Sequence, residues 1–541
     1  ALAGAALAGL AAAGVALNTL LFAACWVLYL SLYLVGQTFL SFQWDILLLE
    51  VGALAILYAP LRPLSPGAPF RWLVRVLLFK LMFMAGAVKI QARCKSWLSL
   101  TALDYHYATQ CIPTPLAWYA HQLPPALQAA SVAAALVIEL PATILLLAPG
   151  VVLPTVGVVF QVLLQVLILL TGNYNVFNAL TAIMCVPLLP GGIARPSGGA
   201  SVDAMGPVAW VSDAFGRFEA TKAGKAVLLG LTAIGISCSA LMFKFDAGVP
   251  PDAPWWLRFK PVLAFTVEDF NSVLDVVLLP LICVAFLGLV ATCMAHVEDQ
   301  ASQSGAIARR VLRVTWACFV CTASLAVFAA SVSPLVAGLR RNLSPSLPPV
   351  VHTVSQAASS RHLPVASPYG LFRSMTGMGP DGTDAWGQPV PVVARPEVVL
   401  EGSMTGQPHD WHELEISYKP GAVWGVPPVV APHQPRVAWQ MWFAALTSYQ
   451  GAPWVITLVD QLLEGSLAAR RVLDQASYPF GDKPPTFIRA SKFEYDFTRV
   501  DTAWARRTVA ASPYVEDHAL NTTAWWVRRH VGEWLPALTK G

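Results

Sequence analysis

The chain has 541 residues, of which 56% are hydrophobic and only 12% are charged. Soluble domains carry about 25% charged residues, so this composition excludes an ordinary water-soluble protein and indicates a membrane protein. The formal net charge of +4 is too small to point to a nucleic-acid partner.

Apolar runs in the first 340 residues predict a polytopic α-helical membrane bundle. A bilayer-spanning helix needs about 20 mainly apolar residues. Runs of about that length occupy residues 18–35, 72–90, 128–149, 151–170, 226–243, 273–295 and 311–338, and shorter runs occupy 45–60, 174–190 and 3–16. The sequence therefore predicts about eight or nine spans within residues 1–340, joined by ordered loops.

Basic residues near the ends of the spans predict the orientation of the chain. Arg309, Arg310 and Arg313 precede the last span, and Arg71 and Arg75 lie beside another short loop. By the positive-inside rule, these loops face the cytosol. The segment after the last span should then lie on the opposite side of the membrane, in a lumen.

The character of the sequence changes near residue 340. Residues 341–368 are rich in Ser and Pro and are expected to form a linker. Beyond it, residues 369–541 are predicted to form an extramembrane α+β domain. Its expected strands lie at 397–402, 411–419 and 493–498, and its expected helices at 436–449 and 454–463.

None of the nine cysteines lies in this C-terminal domain, so its fold cannot depend on disulfides. Cys94 and Cys111 flank a loop and could pair, although free buried thiols are the simpler expectation. Cys318 and Cys321 form a CxxC pattern inside an apolar helix. A redox pair needs solvent access and a lowered thiol pKa, so we expect these two residues to be thiols of the helix packing.

Polar residues at membrane depth are costly, which makes each of them a functional candidate. The predicted intramembrane polar centre comprises Asp45, Glu50, Lys80, Lys89, Asp104, His106, Glu139, Asn173 and Asn175. The structural interpretation is a set of buried ion pairs, with Glu50 bound to Lys80 or Lys89. The catalytic interpretation makes a desolvated Lys80 or Lys89 a base beside Glu50 or His106.

Motifs for cofactors and metals are missing from the sequence. It contains no P-loop, dinucleotide fingerprint, nucleophile elbow or zinc motif. We therefore expect no cofactor and no metal, with bound membrane lipids as the alternative ligand, and we expect a protein that is not an enzyme.

Several long blocks in fixed order resemble the lipase maturation factor family. In the bundle they are LSFQWDILLLE (40–50), KLMFMAGAVK (80–89), DYHYATQ with IPTPLAWY (104–119) and TGNYNVFN (171–178). In the C-terminal domain they are YGLFRSMTG (369–377), PEVVLEGS (396–403), WHELEISYKPG (411–421), QPRVAWQMWFAAL (434–446) and FEYDFT (493–498). The resemblance covers nearly the whole chain.

The resemblance implies a chaperone-like protein of the endoplasmic reticulum membrane that helps secreted dimeric lipases to fold and assemble. Its partners would be lipase clients and membrane lipids, with the C-terminal domain lumenal. Aromatic residues of that domain could contact the client or pack in its core. These residues are Trp411, Tyr418, Trp439, Trp442 and Phe443.

Two alternatives remain open. The first is an accessory structural subunit of a larger membrane complex, in this or another organelle. The second is an enzyme, because the AGAVK pattern at 85–89 is similar to vitamin K-dependent carboxylases. A lysine of this region is catalytic in those enzymes, and the matching residue here is Lys89.

Overall fold

The computed structural model describes residues 1–15, 17–59, 69–189, 217–219, 221–245, 253–358, 365–370, 373–375, 382–383, 389–390, 393–506, 520 and 522–540. Helices dominate as far as residue 358. They are α1 (Leu2–Ala12), α2 (Thr19–Gly36), α3 (Gln43–Tyr58), α4 (Pro69–Gln91), α5 (Lys95–Leu98), α6 (Ala102–Thr109), α7 (Pro115–His121), α8 (Pro125–Glu139), α9 (Pro141–Ile144), α10 (Val152–Thr171), α11 (Val176–Cys185), α12 (Lys222–Leu241), α13 (Trp255–Arg258), α14 (Val267–Ser302), α15 (Ile307–Leu339) and α16 (Pro349–Ala358).

Five helical segments in the described part of the chain are long and apolar enough to cross a membrane. They are Thr19–Leu40, Pro125–Leu147, Val152–Thr171, Val267–Ser302 and Ile307–Leu339. All five correspond to predicted spans. The sequence therefore encodes a membrane protein with these five candidate spans.

The other predicted spans are helical, but none of them is among the described helices that are both long enough and apolar enough to be candidate spans. Helix α4 is 23 residues long, yet it carries Arg71, Arg75, Lys80 and Lys89. Helices α1, α3 and α11 are shorter than about 20 residues, the length that a span needs. The predicted span at 226–243 coincides largely with α12, several of whose side chains lie outside the described set. The total of eight or nine spans stays a prediction.

Helix α4 forms the centre of the bundle. Every residue from 76 to 90 is buried, which is expected of a helix that is apolar on all sides. Helices α3, α8, α11, α14 and α15 pack around it. Gly86 permits the approach of α8, because a Cβ there would lie 2.8 Å from Cβ of Glu139.

Helices α14 and α15 form a long antiparallel hairpin. Helix α14 begins with a capping box, in which Thr266 and Asp269 satisfy each other's backbone N–H groups. The segment expected to be a linker then forms a 3-10 turn, Arg341–Ser346, and helix α16, which packs on α15. The last part of that segment, 359–364, lies outside the described residues.

The C-terminal region is built on a four-stranded antiparallel sheet, in which the strands lie in the order His412–Leu414, Arg395–Ser403, Phe487–Phe497 and Trp526–Thr539. The chain first forms the two-stranded pairs β1 (Phe243–Phe245) with β2 (Pro261–Leu263), and β3 (Gly382–Thr383) with β4 (Pro389–Val390). The main sheet consists of β5 (Arg395–Ser403), β6 (His412–Leu414), β7 (Phe487–Phe497) and β8 (Trp526–Thr539). Helices α17 (Arg436–Ala444), α18 (Pro453–Leu463) and α19 (Leu467–Arg470) lie between β6 and β7 in the chain.

The bundle and the C-terminal domain share one hydrophobic core. It extends from Leu47 and Leu78 in the bundle to Trp439 and Ile488 in the C-terminal domain. The two halves are therefore packed together over an apolar surface, and the polar contacts between them lie beside that surface.

Candidate functional site

A buried ion pair lies inside the bundle and is completed by the chain that follows it. Lys80 Nζ lies 2.5 Å from Glu50 Oε1, and both side chains are buried. The hydroxyl of Tyr369 donates to Glu50 Oε2 at 2.5 Å. The adjoining cavity measures about 10 Å³, roughly the space of one water molecule. Among the described residues, the space beside the pair is therefore too small for a lipid.

Lys89 makes a different ion pair from the one proposed with Glu50. Its Nζ donates to both oxygens of Glu139 at 2.6 Å, and it lies 5.2 Å from the ring centroid of Trp97. Lys80 and Lys89 thus each have their own carboxylate.

Asp45 joins the first turn of α3 to the C-terminal domain. Arg436, at the start of α17, donates to its two carboxylate oxygens at 2.7 and 2.9 Å. Tyr29 donates to the same carboxylate at 2.5 Å. Gln440, one turn further along α17, donates to the carbonyl of Thr38. The structure thus gives Asp45, a member of the predicted polar centre, an interdomain partner.

A second buried cluster lies on β5 of the C-terminal domain. Arg395 donates to Glu397 Oε1 at 2.7 Å, and Lys419 Nζ lies 2.8 Å from Glu397 Oε2. The same guanidinium donates to three backbone carbonyls at the end of α6, those of Ala108, Gln110 and Cys111. The planar fork of arginine suits such converging acceptors. This residue fixes the sheet against the loop of the bundle.

Asn173 provides a third junction at the end of α10. Its side-chain amide donates to the carbonyl of Pro428 at 2.8 Å and accepts from the backbone N–H of Val430 at 2.9 Å. The side chain of the nearby Asn175 has no hydrogen-bond partner among the described residues. Asn175 adopts a φ of +57°, a left-handed conformation that asparagine tolerates.

The loop helix α6 carries two titratable groups whose pKa values are shifted in opposite directions. Burial raises the pKa of Asp104 to about 6, while Lys260 and Arg499 act against this shift. Burial lowers the pKa of His106 to about 4, and the charge of Lys89 adds to the effect. His106 Nε2 lies 3.1 Å from the hydroxyl of Tyr174. The ring of His106 is therefore neutral near pH 7, and its role is to pack and hydrogen-bond inside the protein.

The chemistry available to this polar junction is therefore one of binding and orientation. Within the predicted centre, Lys80 pairs with Glu50 and Lys89 with Glu139, while Asp45 pairs with Arg436 of the C-terminal domain. Across the described ranges, no group of three or more His, Cys, Asp or Glu residues could hold a metal ion. The structure brings Glu50 to Lys80 and Lys89 to Glu139.

The aromatic candidates for client binding divide into two groups. Trp439 and Trp442 are buried: Trp439 packs edge-on against Trp44, and Trp442 Nε1 donates to the carbonyl of Thr109. Their burial favours core packing over a client-facing surface, because these two residues fill the interface between the two halves. The indole ring of Trp411 stacks on Arg489, whose guanidinium carbon lies 4.2 Å from the ring centroid.

Phe443 and Tyr418 are the exposed members of the set. Tyr418 lines a surface groove of about 360 Å³ that contains residues of both halves. Its lining includes Pro113 from the bundle, and Glu415, Lys419, Pro427 and Asp474 from the C-terminal domain. The groove is the open, mixed polar and apolar part of the junction.

Three interdomain residues, Tyr369, Arg395 and Arg436, escaped the sequence analysis. Tyr369 and Arg436 lie in blocks already identified, YGLFRSMTG and QPRVAWQMWFAAL, and Arg395 immediately precedes the block PEVVLEGS. The alternation of side chains along a strand places Arg395 and Glu397 on one face. A pair of opposite charges on one face of an otherwise apolar strand was therefore a usable signal for a buried ion pair.

Two family models match separate parts of the chain. A model of the lipase maturation factor transmembrane domain matches residues 1–194, and one of the C-terminal domain of the same family matches residues 365–536. The chain is 39% identical to lipase maturation factor 2 of Gallus gallus over 97% of this chain and 68% of that protein.

The similarity extends to other vertebrate proteins. The chain is 37% identical to lipase maturation factor 2 of Homo sapiens, over 95% of this chain and 68% of that protein. It is 27% identical to lipase maturation factor 1 of Mus musculus, over 96% of this chain and 70% of that protein. No solved structure matches the chain. The extent of these matches in both halves shows that the chain belongs to the lipase maturation factor family.

Proposed function

We propose that this protein is a maturation factor of the endoplasmic reticulum membrane that acts as a chaperone for secreted lipases, with its C-terminal domain in the lumen. The names of its relatives support a role in lipase maturation. The observation that carries the proposal is the polar junction, in which Arg436, Arg395 and Tyr369 fasten the C-terminal domain to the bundle.

A fastened junction supports a platform for a protein client. The interdomain contacts are buried and specific to individual residues, so they hold the C-terminal domain at one end of the bundle. The lysines that an intramembrane enzyme would use are engaged in ion pairs. Holding a client, rather than transforming a small molecule, is therefore the function that this geometry favours.

The proposed contact surface for the client is the groove beside Tyr418, together with the exposed ring of Phe443. Aromatic side chains supply much of the energy at the centres of protein interfaces. The groove combines prolines and Tyr418 with the carboxylates of Glu415 and Asp474. Such a surface suits an apolar client segment that carries a basic residue.

The proposed orientation rests on the arginines at the start of α15. Arg309 and Arg310 are exposed there, and the C-terminal domain follows the opposite end of the same helix. Positive residues favour the cytosolic side, which leaves the C-terminal domain in the lumen. Protease treatment of sealed microsomes should therefore spare this domain and degrade it once detergent opens the vesicles.

Co-purification of the full chain from secretory cells tests the proposal. After mild crosslinking, the expected partner is a newly made lipase, and Y418A and F443A should reduce its recovery. L467A, which alters an exposed residue elsewhere on the same domain, should not. A stable multi-subunit assembly without a lipase would overturn the proposal in favour of an accessory subunit.

A further inference from the structure

A surface loop of the C-terminal domain has an unusual composition. Residues 422–432 read AVWGVPPVVAP and include no charged side chain. Three large apolar residues of this loop point into solvent: Trp424 is 66% exposed, Val426 59% and Val429 72%. A contiguous exposed apolar patch commonly marks a binding surface for a protein or a membrane.

Hydrogen bonds hold this loop in place from two sides. On one side, the carbonyl of Val423 accepts from the backbone N–H of Trp526, and the carbonyl of Gly425 accepts from Trp526 Nε1 at 3.1 Å. On the other side, Asn173 binds Pro428 and Val430. The exposed side chains are thus presented by a fixed backbone.

The loop lies next to the end of a candidate membrane span. Asn173 follows the end of α10 by two residues, and α10 is a candidate span. The outer face of α10 is apolar up to its last turn, with Leu163, Leu167 and Leu170 exposed. Beside that turn, Thr114 donates to the carbonyl of Leu170, and the following helix α7 exposes Leu116 and Tyr119. The loop is therefore bound to the chain two residues beyond a candidate span, next to a helix end that exposes apolar side chains.

We propose that loop 422–430 inserts into the interfacial region of the bilayer that holds the spans, and so gives the C-terminal domain a membrane contact of its own. Tryptophan favours this region, where its ring is buried and its N–H group stays hydrated. The uncharged loop matches a lipid environment, because an inserted charge would be costly. The same loop lines the client groove through Gly425, Pro427 and Pro428, so its membrane contact is assigned to the exposed side chains of Trp424 and Val429. The inference goes beyond the proposed function and does not depend on it.

Fluorescence of a single labelled site in lipid nanodiscs tests the proposal. In the full chain, Cys25, Cys238, Cys283 and Cys318 are changed to Ser so that the remaining buried thiols do not react. V429C or L467C is then added and labelled with the fluorophore NBD. Leu467 is 71% exposed on the same domain and serves as the matched control.

The nanodiscs contain phosphatidylcholine, with or without a lipid that carries a doxyl quencher near its headgroup. NBD at position 429 should emit at shorter wavelength than NBD at 467 and should be quenched several-fold more strongly by the doxyl lipid. Equal, water-like emission and equal quenching at the two sites would overturn the proposal. Shielding of position 429 only after a purified lipase is added would also overturn it, because the loop would then be a protein contact. Size-exclusion profiles equal to that of the unlabelled parent establish that both variants are folded.

Discussion

Arg436 of the C-terminal domain and Asp45 of the membrane bundle form a two-bond ion pair across 391 positions of sequence, at 2.7 and 2.9 Å. Asp45 is fully buried. A buried carboxylate that loses its cation is strongly destabilising, because the charge stays out of water without compensation. This pair therefore couples the stability of the two halves.

We expect R436M to lower the free energy of unfolding by about 3 kcal/mol, which thermal unfolding in detergent would register as a lower melting temperature. The matched control is R506M. Arg506 pairs with Asp501 on the surface, where ion pairs contribute little, so R506M should leave the melting temperature unchanged. Equal effects of the two substitutions would contradict the assignment of Arg436 as an interdomain contact.

The cluster on β5 predicts a non-additive effect. Glu397 is the one carboxylate between Arg395 and Lys419 in this buried cluster, so E397Q leaves two buried cations close together. We expect E397Q to cost about 3–5 kcal/mol. The double variant E397Q/K419M should be more stable than E397Q alone, since it removes one of the two repelling charges. Thermal unfolding of both variants measures this difference, and a double variant less stable than the single one would refute the interpretation.

A substitution at Tyr369 should lower the stability of the protein by less than R436M or E397Q. Y369F removes only the hydroxyl that donates to Glu50. Hydrogen bonds to charged groups contribute about 1.5–3 kcal/mol, so the variant should unfold at a lower temperature by a matching amount. The control is Y119F, because Tyr119 is 60% exposed on α7. No difference between the two variants would mean that Tyr369 does not secure the ion pair.

The shifted pKa values of Asp104 and His106 predict how the stability of the folded protein changes with pH. The folded pKa of Asp104, about 6, lies above its ordinary value of 3.8. Between these values the folded state binds more protons than the unfolded state, so this group's contribution to stability falls as pH rises. The folded pKa of His106, about 4, lies below its ordinary value of 6.5. Its contribution therefore rises with pH over nearly the same range.

Removing either Asp104 or His106 should reveal the pH dependence of stability that the other residue contributes. Between pH 4 and 6, D104N should make stability rise more steeply with pH than in the unmodified protein, by at most about 1.4 kcal/mol per pH unit. H106Q should change the slope in the opposite direction. Melting temperatures at several pH values in this range measure both slopes. Curves parallel to that of the unmodified protein would contradict the assigned pKa shifts.

Hydropathy and local pattern predicted much of this fold. The five candidate spans coincide with apolar runs, and the helix at 436–444 and the strand at 395–403 lie where periodicity placed such elements. Strand β8 was missed because charged residues at 528–530, Gly532 and Pro536 interrupt its alternation. Its pairing with β7, which is irregular at several points, depends on the tertiary structure.

The partners of the polar residues were harder to predict than the residues themselves. Costly intramembrane charges indicated Glu50, Lys80 and Lys89, but the pairing of Lys89 with Glu139 depends on the crossing of α4 and α8 at Gly86. The burial of Trp439 likewise depends on Trp44, almost 400 residues earlier in the chain. Amphipathic spacing alone cannot distinguish an inner face from a client-binding face.

The most direct test of the proposed maturation role is the specific activity of a secreted dimeric lipase made in cells that lack their own maturation factors. Expression of this chain should raise the activity per amount of secreted lipase above the vector control, while R436M, which weakens the junction, should raise it less. If the intact chain is present in the membrane at a normal level and the specific activity stays at that of the vector, the central claim is contradicted.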